Sequence, residues 1–419
     1  MNRFAKYGLL LTAVAAFGFT ACEKTRHDKP DPGKDLLLTP TEQEKAVTDN
    51  RFAFELFRRA TTHLGAQDNA LLSPLGVSMA LAMANNGAVG DTHEVIEQAL
   101  MADGFDAEAI HAYHQKLTAD LPLLDPRTTL DIANSIWYRQ GFDVLPDFLE
   151  VNRTFYNAEV TALDFADAGA PDAINDWVSR KTNDKIPTII DGDIPSSMMM
   201  YLINAVYFKG SWAQRFDKSA TESGAFTRAD GTTLQTDFMH MEHVFNVAAT
   251  DEVEAIELPY GDQKYSMVVL MPRGDGDLTA LAETLVDPDT WPALAASFYG
   301  RKTRLALPKF KFSYMNKLND ELTDMGMGMA FDPQRADFSG ISPSPLFISE
   351  VQHKSFIEVN EEGTEAAAVT SVGFATTSQP QVYNFHADRP FLFVIREVTS
   401  GLVVFIGQVN DPSVEATQG

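Results

Sequence analysis

Residues 361–385 read EEGTEAAAVTSVGFATTSQPQVYNF. Helix-breaking residues stand near both ends, small residues fill the middle, and neither Lys nor Arg occurs. Gly363 supplies backbone freedom that any side chain would restrict, so the chain can pivot there. Beyond it the residues alternate along an extended chain. Thr364, Ala366, Ala368, Thr370, Val372 and Phe374 fall on one face, and Glu365, Ala367, Val369, Ser371 and Gly373 on the other. The first face is small and then increasingly apolar, which suits burial; the second tolerates water. The run from Thr364 to Ala368 fits a capped, alanine-rich helix start equally well. Val369, Thr370, Val372 and Gly373 oppose its continuation, and the run is short for an isolated helix. Loop, strand and helix therefore stay open on local grounds, and the rest of the chain has to decide.

The first 21 residues read as an address rather than as fold. Arg3 and Lys6 make a basic start, residues 7–19 form an apolar run too short to span a bilayer comfortably, and Thr20-Ala21-Cys22 closes it with small residues. Cys22 is the only cysteine. Its position resembles the lipidation site of a bacterial lipoprotein precursor, with Phe19 where leucine is more usual; an ordinary signal peptide ending near a cysteine is the alternative. Acylation of Cys22 would leave no free thiol and no disulfide, so stability has to come from the core. The expected chain is exported and lipid-anchored in the cell envelope or on the cell surface, or released. Residues 23–34 are polar with prolines and read as a flexible tether. The expected layout is a signal over 1–21, a tether over 22–45, one domain over 46–412 and a tail over 413–419.

No Pro/Gly/Ser-rich seam divides that long domain. Composition is ordinary for a soluble protein, at 45% hydrophobic and 22% charged residues. Charge is not: the chain carries −25, and −27 once Arg3 and Lys6 are gone, with 31 basic residues against 58 acidic. That argues against nucleic acid and anionic membrane as partners.

Apolar spacing predicts helices through Ala53, Leu56, Phe57, Ala60 and Leu64, through Val77, Ala80, Leu81 and Ala84, and from Asp91 or Thr92 to Ala99. Strands are expected where Leu130, Ile132, Asn134 and Ile136 alternate, and over 201–208, whose near-continuous apolar run predicts cover on both faces. Further strands are expected over 265–271, 304–307, 346–351, 391–395 and 402–409, the last two joined as a hairpin with Ser400-Gly401 in the turn. Helices first and strands later favour an α+β fold with large, largely antiparallel sheets.

Catalytic constellations are weak. No G-x-S-x-G, H-E-x-x-H, Walker or G-x-G-x-x-G motif occurs. His240 and His243 flank Glu242, but a lone His-x-x-His is more often surface or packing chemistry than a metal site. Met198, Met199 and Met200, and the methionines of 325–329, read as adaptable packing. No enzyme, metal or cofactor is expected.

Five segments share one resemblance: 69–84 (NALLSPLGVSMALAMA), 203–212 (INAVYFKGSW), 307–312 (LPKFKF), 351–368 (VQHKSFIEVNEEGTEAAA), and 388–393 with Phe405-Ile406-Gly407 (DRPFLF…FIG). In this order they are similar to the signature segments of the serpin family, and they cover nearly everything after the tether. The resemblance implies a large central mixed or antiparallel sheet with additional sheets, about nine helices and an exposed reactive-centre loop. It also implies a monomer that inhibits serine endopeptidases as a suicide substrate: the protease cuts the loop, the loop's first half enters the central sheet, and the acyl-enzyme is dragged away and distorted.

The residues fit that implication. Gly363 to Thr377 spans about 14 steps, roughly 45–50 Å when extended. Insertion gains about ten ladder hydrogen bonds at about 0.5–1.5 kcal/mol each, plus burial of the small face. The hinge (Glu361, Gly363, Thr364, Glu365, Ala366, Ala367, Ala368) presents no bulky or charged residue on the face that must enter. Family loop length places the scissile bond at Thr377-Ser378, with Phe374-Ala375 and Ala375-Thr376 as alternatives. A loop without Lys or Arg gives no counter-charge to a carboxylate-bearing specificity pocket, so elastase-, subtilisin- or chymotrypsin-like targets are expected and trypsin-like ones are not. A non-inhibitory binding or chaperone-like protein, or a cross-class inhibitor of papain-like cysteine proteases, is the alternative. By the same resemblance Ser73, Pro74, Asn204 and His353 match a hydrogen-bonded shutter beneath the sheet opening, and Lys209 and Trp212 the breach where the loop enters. Gly76 departs from the family's usual serine, so part of the shutter cluster is expected to be missing.

Overall fold

A computed structural model describes residues 33–102, 104–274, 276–364 and 382–418; the expected signal segment and Cys22 lie outside them. The described chain opens with α1 (Pro40–Thr61). Its start is a capping box: Thr39 Oγ1 accepts from the Glu42 amide at 3.3 Å and Glu42 Oε2 from the Thr39 amide at 2.7 Å. β1 (Ala70–Leu72) leads to α2 (Pro74–Asn85), α3 (Asp91–Ala99) and α4 (Ala107–Asp120). Then come β2 (Thr128–Arg139), α5 (Pro146–Tyr156), β3 (Glu159–Leu163), α6 (Ala170–Lys181) and β4 (Met200–Ser211). Strands take over with β5 (Glu222–Thr227), β6 (Thr233–Ala249), β7 (Val253–Pro259) and β8 (Tyr265–Pro272). After α7 (Leu278–Val286) and α8 (Thr290–Ser297) follow β9 (Tyr299–Pro308), β10 (Phe310–Lys317), α9 (Asn319–Asp324) and β11 (Gln352–Val359). The last elements are β12 (Gly363–Thr364), β13 (Tyr383–His386), β14 (Phe391–Glu397), β15 (Val403–Val409) and β16 (Ala416–Gln418). Nine α-helices and sixteen strands among the described residues make the expected α+β architecture.

A nine-stranded mixed sheet runs β1-β15-β14-β8-β7-β6-β9-β13, with β5 on β6. Every residue of β8, β14 and β15 is buried, as continuous apolar runs require. α2 is buried at eleven of its twelve positions, so no face of it needs to be polar. Two smaller sheets hold β12-β4-β2-β3 and β11-β10-β16.

Several boundaries differ from expectation. The tether does not last to residue 45: Leu36 is 2% exposed and α1 starts at Pro40, because a polar capping sequence and an acidic first turn are helix signals that a composition count hides. The tail over 413–419 is not free either, since β16 pairs in parallel with Ser313–Met315 of β10. Leu64 lies beyond the end of α1. Residues 346–351 are not a strand. Their backbone bonds to helical neighbours instead of a strand, with Ile348 N donating to Ala330 O in a 3-10 turn (Met327–Phe331) and Val351 N to Asn319 Oδ1 at the start of α9, and the strand is the next segment, β11. β4 is not fully covered on both faces: Ile203, Ala205 and Tyr207 are buried, whereas Leu202, Asn204 and Val206 are only half-buried.

The hairpin of β14 and β15 carries a buried ion pair. Arg396 Nη2 meets Glu257 Oε1 at 2.6 Å, and that carboxylate also accepts from Ser266 and Asn246. Burial pushes the Glu257 carboxyl up, but the Arg396 charge and these hydrogen bonds outweigh it and hold it below the usual range. Arg396→Met should therefore lower stability by about 3–5 kcal/mol in urea titrations, and adding Glu257→Gln should recover much of that loss. Glu257 has a depressed folded pKa, so its contribution is present above the unfolded carboxylate pKa and lost as pH falls through the folded one; Glu257→Gln should flatten stability against pH in that acid range.

Candidate functional site: a gap between two strand edges

β4 is paired to β2 along its length, from Thr128↔Gly210 to Tyr138↔Met200. Among the described residues its other edge is met only by β12, at Ser211 and Gly210. β11 pairs with β10 from Gln352↔Lys317 to Val359↔Phe310, and among the described residues no ladder lies on its other edge. The two edges border a cavity of ≈560 Å³, walled by Met200 and Asn204 of β4 and His353 of β11, with Gly76 and Val77 of α2 beneath.

The head of the gap is closed by a turn. After β11 the chain reverses through the Asn360↔Gly363 bridge, and β12 runs back antiparallel to β4, with Gly363 opposite Ser211 and Thr364 opposite Gly210. Gly363 has φ +128°, and a Cβ there would lie 2.2 Å from Gly210 O, so this position takes glycine alone. Glu361, 5% exposed, accepts from Thr221 Oγ1 at 2.8 Å and pairs with Lys309 Nζ at 3.3 Å. Burial raises its pKa, but these partners prevail and keep it ionised below the usual carboxylate range. Trp212 holds the turn on the β4 side: its Nε1 donates to Asn360 O at 2.9 Å, its amide donates to Glu362 O, and its ring stacks on Tyr260 at 4.5 Å and 10°. Lys209 lies one turn of the pleat below, opposite Thr129 of β2.

At the foot, the expected shutter residues fall into two groups. Ser73 precedes Pro74, the first residue of α2; its Oγ accepts from Gly76 N and donates to Val404 O at 3.2 Å. The Ser73 amide donates to His353 Nε2 at 3.2 Å, which requires an unprotonated imidazole nitrogen. Burial drives the His353 pKa down to about 4, partly opposed by a backbone hydrogen bond to Leu71. Asn204 stands apart: its Nδ2 donates to Asn134 Oδ1 at 2.7 Å, and Asn134 donates on to Tyr156 O. The Asn204 Oδ1 is buried without a partner among the described residues. A Cβ on Gly76 would lie 2.4 Å from it, so glycine lets Asn204 sit where a serine would crowd it, and the hydroxyl that could meet it is missing. Asn134 and Tyr156 were not foreseen as members; the alternation of β2 marked Asn134 as inward-facing without saying what it meets.

The hinge residues Glu365, Ala366, Ala367 and Ala368, and the candidate bonds at Phe374, Ala375, Thr376, Thr377 and Ser378, lie outside the described residues. His240 and His243 are on β6, where Glu242 between them is held by Lys302 and Arg304 at 2.7 Å each. Among the described residues no group of three His, Cys, Asp or Glu could hold a metal ion.

The family model described as Serpin (serine protease inhibitor) matches residues 47–412. The chain is 36% identical to the leukocyte elastase inhibitor of Xenopus tropicalis over 375 residues, which cover 86% of this chain and 97% of that one. It is 33% identical over 381 residues to an uncharacterised serpin-like protein of Methanosarcina acetivorans, covering 88% of each. Among solved structures, the thermophilic serpin tengpin in its native state superposes with TM-score 0.80 at 32% identity, covering 91% of this chain and 97% of that one. Human thyroxine-binding globulin complexed with its ligand does so with TM-score 0.80 at 27% identity, covering 89% and 100%. A match across most of the length, at this identity and with the same overall fold, has one reading: the chain belongs to the serpin family.

Proposed function

We propose that this chain is a suicide-substrate inhibitor of serine endopeptidases, itself without catalytic activity, that traps its target by inserting the cut loop into the gap between β4 and β11. The register of β12 carries this reading. Gly363 opposite Ser211 and Thr364 opposite Gly210 start a strand that already points down the gap. Continued one for one, the same register sets Ala366 against Phe208, Ala368 against Val206, Thr370 against Asn204, Val372 against Leu202 and Phe374 against Met200. Directly opposed residues share a face of a sheet, and Phe208, Val206 and Leu202 pack on the larger core. The small-then-apolar face of the loop would thus land on the core side, and Thr370 would bring a hydroxyl to the unpartnered oxygen of Asn204. A new strand there would add a ladder to two edges that carry none beyond β12 among the described residues.

Similarity to a leukocyte elastase inhibitor supports the inhibitory reading and an elastase-like target; a subtilisin- or chymotrypsin-like one rests on the loop residues alone. Similarity to thyroxine-binding globulin shows that the fold alone does not demand inhibition. What separates the two is the hinge, where Ala366, Ala367 and Ala368 offer nothing that resists burial. The reading extends to export and lipid anchoring through Cys22.

Incubation with elastase or subtilisin should give a complex that survives boiling in detergent, and trypsin should give none; clipping by every protease without a complex would support a non-inhibitory serpin. Ala368→Glu would place a charge against Val206, so this variant should be cut at an unchanged rate but release its protease. Nicking near Thr377 should raise the melting temperature of the wild-type chain strongly, and that of Ala368→Glu little, by calorimetry. His353 has a depressed folded pKa, so its contribution is intact above pH 6.5 and is lost as pH falls toward 4. Stability of the intact chain should fall over that window, and His353→Gln should have a shallower slope by up to one proton.

A further inference from the structure

Three consecutive thioethers sit at the lower end of the gap. Met198, Met199 and Met200 all line the ≈560 Å³ cavity, and all three are half-buried. By contrast Met79, Met83, Met239, Met267, Met271 and Met327 are each 0% exposed. Two of them do different packing work: Met198 lies against the smaller core that contains Trp137 and Ile203, and Met200 against the larger one. Met198 also reaches across the gap, its sulfur accepting from Ser349 Oγ at 3.7 Å. Ser349 belongs to the irregular segment that leads into β11, so this contact ties the foot of one wall to the foot of the other. The backbone beneath is held by Arg139, whose amide donates to Met199 O and whose Nε donates to Met198 O.

We propose that Met198, Met199 and Met200 form an oxidant-sensitive modification site at the foot of the gap. The reaction takes a peroxide as co-reactant. A sulfur lone pair attacks one peroxide oxygen, the O–O bond breaks and an S–O bond forms; the proton on the sulfur-bound oxygen passes to the departing hydroxide, which leaves as water, so the thioether is oxidised by two electrons to the sulfoxide and the peroxide is reduced by the same two. Access decides which methionines react: the cavity opens to these three, Met101, Met241, Met315, Met325 and Met329 are half-buried away from it, and the six core methionines are closed. Position decides the consequence. A sulfoxide is polar and demands hydrogen bonds, so on Met198 or Met200 it opposes burial against the two cores and loosens the join between the base of β4 and residues 346–351. Oxidation at this place thus acts on the part of the molecule where the walls must separate for a strand to enter. The chemical site stands on burial and contact alone, and its effect on trapping rests on the function proposed above.

The test uses the full chain treated with hydrogen peroxide, beside a Met198→Leu/Met199→Leu/Met200→Leu variant. Leucine conserves volume and apolarity and cannot be oxidised. Tryptic mapping should show the peptide 186–209 gaining 16, 32 and 48 Da at least about tenfold faster than the peptide that carries Met267 and Met271, as expected from access. The melting temperature of the wild-type chain should fall by several degrees on oxidation, recover after methionine sulfoxide reductases act, and fall by markedly less in the leucine variant, which keeps the half-buried methionines outside the gap. Oxidation no faster than at the buried methionines would overturn the site. An equal loss of melting temperature in the leucine variant would overturn its structural role. For trapping, oxidised wild-type chain should change the ratio of cut to complexed inhibitor by at least about threefold while the leucine variant does not; an unchanged ratio overturns the link to insertion. A chain that forms no complex even before oxidation overturns the proposed function, while mapping and melting still decide the site.

Discussion

Backbone hydrogen bonding along the facing edges of β4 and β11 is the constraint on which the molecule turns. Each edge is satisfied on one side by a full ladder to its inner neighbour, and the other side is met, among the described residues, only by the two residues of β12. Strand edges of this length are templates for pairing. The surrounding fold determines that the strand best placed to pair is the chain's own, because β12 is anchored at the head of the gap by Trp212, Glu361 and the steric demand at Gly363.

The head and foot of the gap are built from different chemistry. At the head, a stacked indole, an ionised buried carboxylate and a glycine in the left-handed half of backbone space make a rigid turn that points the chain in one direction. At the foot, a neutral histidine accepts one backbone amide, an asparagine keeps an unpartnered oxygen, and a cavity runs between them. A rigid head with an incompletely satisfied foot would guide a strand in from the top and reward its arrival at the bottom. The direction of the proposed insertion follows from that asymmetry.

The departure at Gly76 shows how one missing side chain can matter. A Cβ there would collide with Asn204 Oδ1, so glycine and the present position of Asn204 belong together. The cost is a buried oxygen without a donor. Under the proposed register, Thr370 would supply the donor only in the inserted state, which makes the gain selective for the product of insertion.

Much was legible in the residues alone. The periodicity of α2 and α3, the alternation of β2 and the apolar runs of β8, β14 and β15 are local properties that twenty or fewer neighbouring residues specify; the two-faced pattern after Gly363 lies, past Thr364, outside the described residues. The hinge and the Ser73, Asn204, Trp212 and His353 positions were reached through family resemblance, since nothing in their spacing brings them together. Boundaries failed where a weak local signal was overruled: residues 346–351 have strand-like composition but bond to helical neighbours, and residues 36–45 read as tether but carry a buried leucine and a helix cap. Only the tertiary structure decided that, among the described residues, the facing edges of β4 and β11 carry no ladder beyond β12, that Asn204 pairs with Asn134 rather than His353, and that three methionines line the gap. Those facts depend on contacts between segments separated by tens to hundreds of residues, and a one-dimensional pattern records which residues seek burial, not which partner they will meet there.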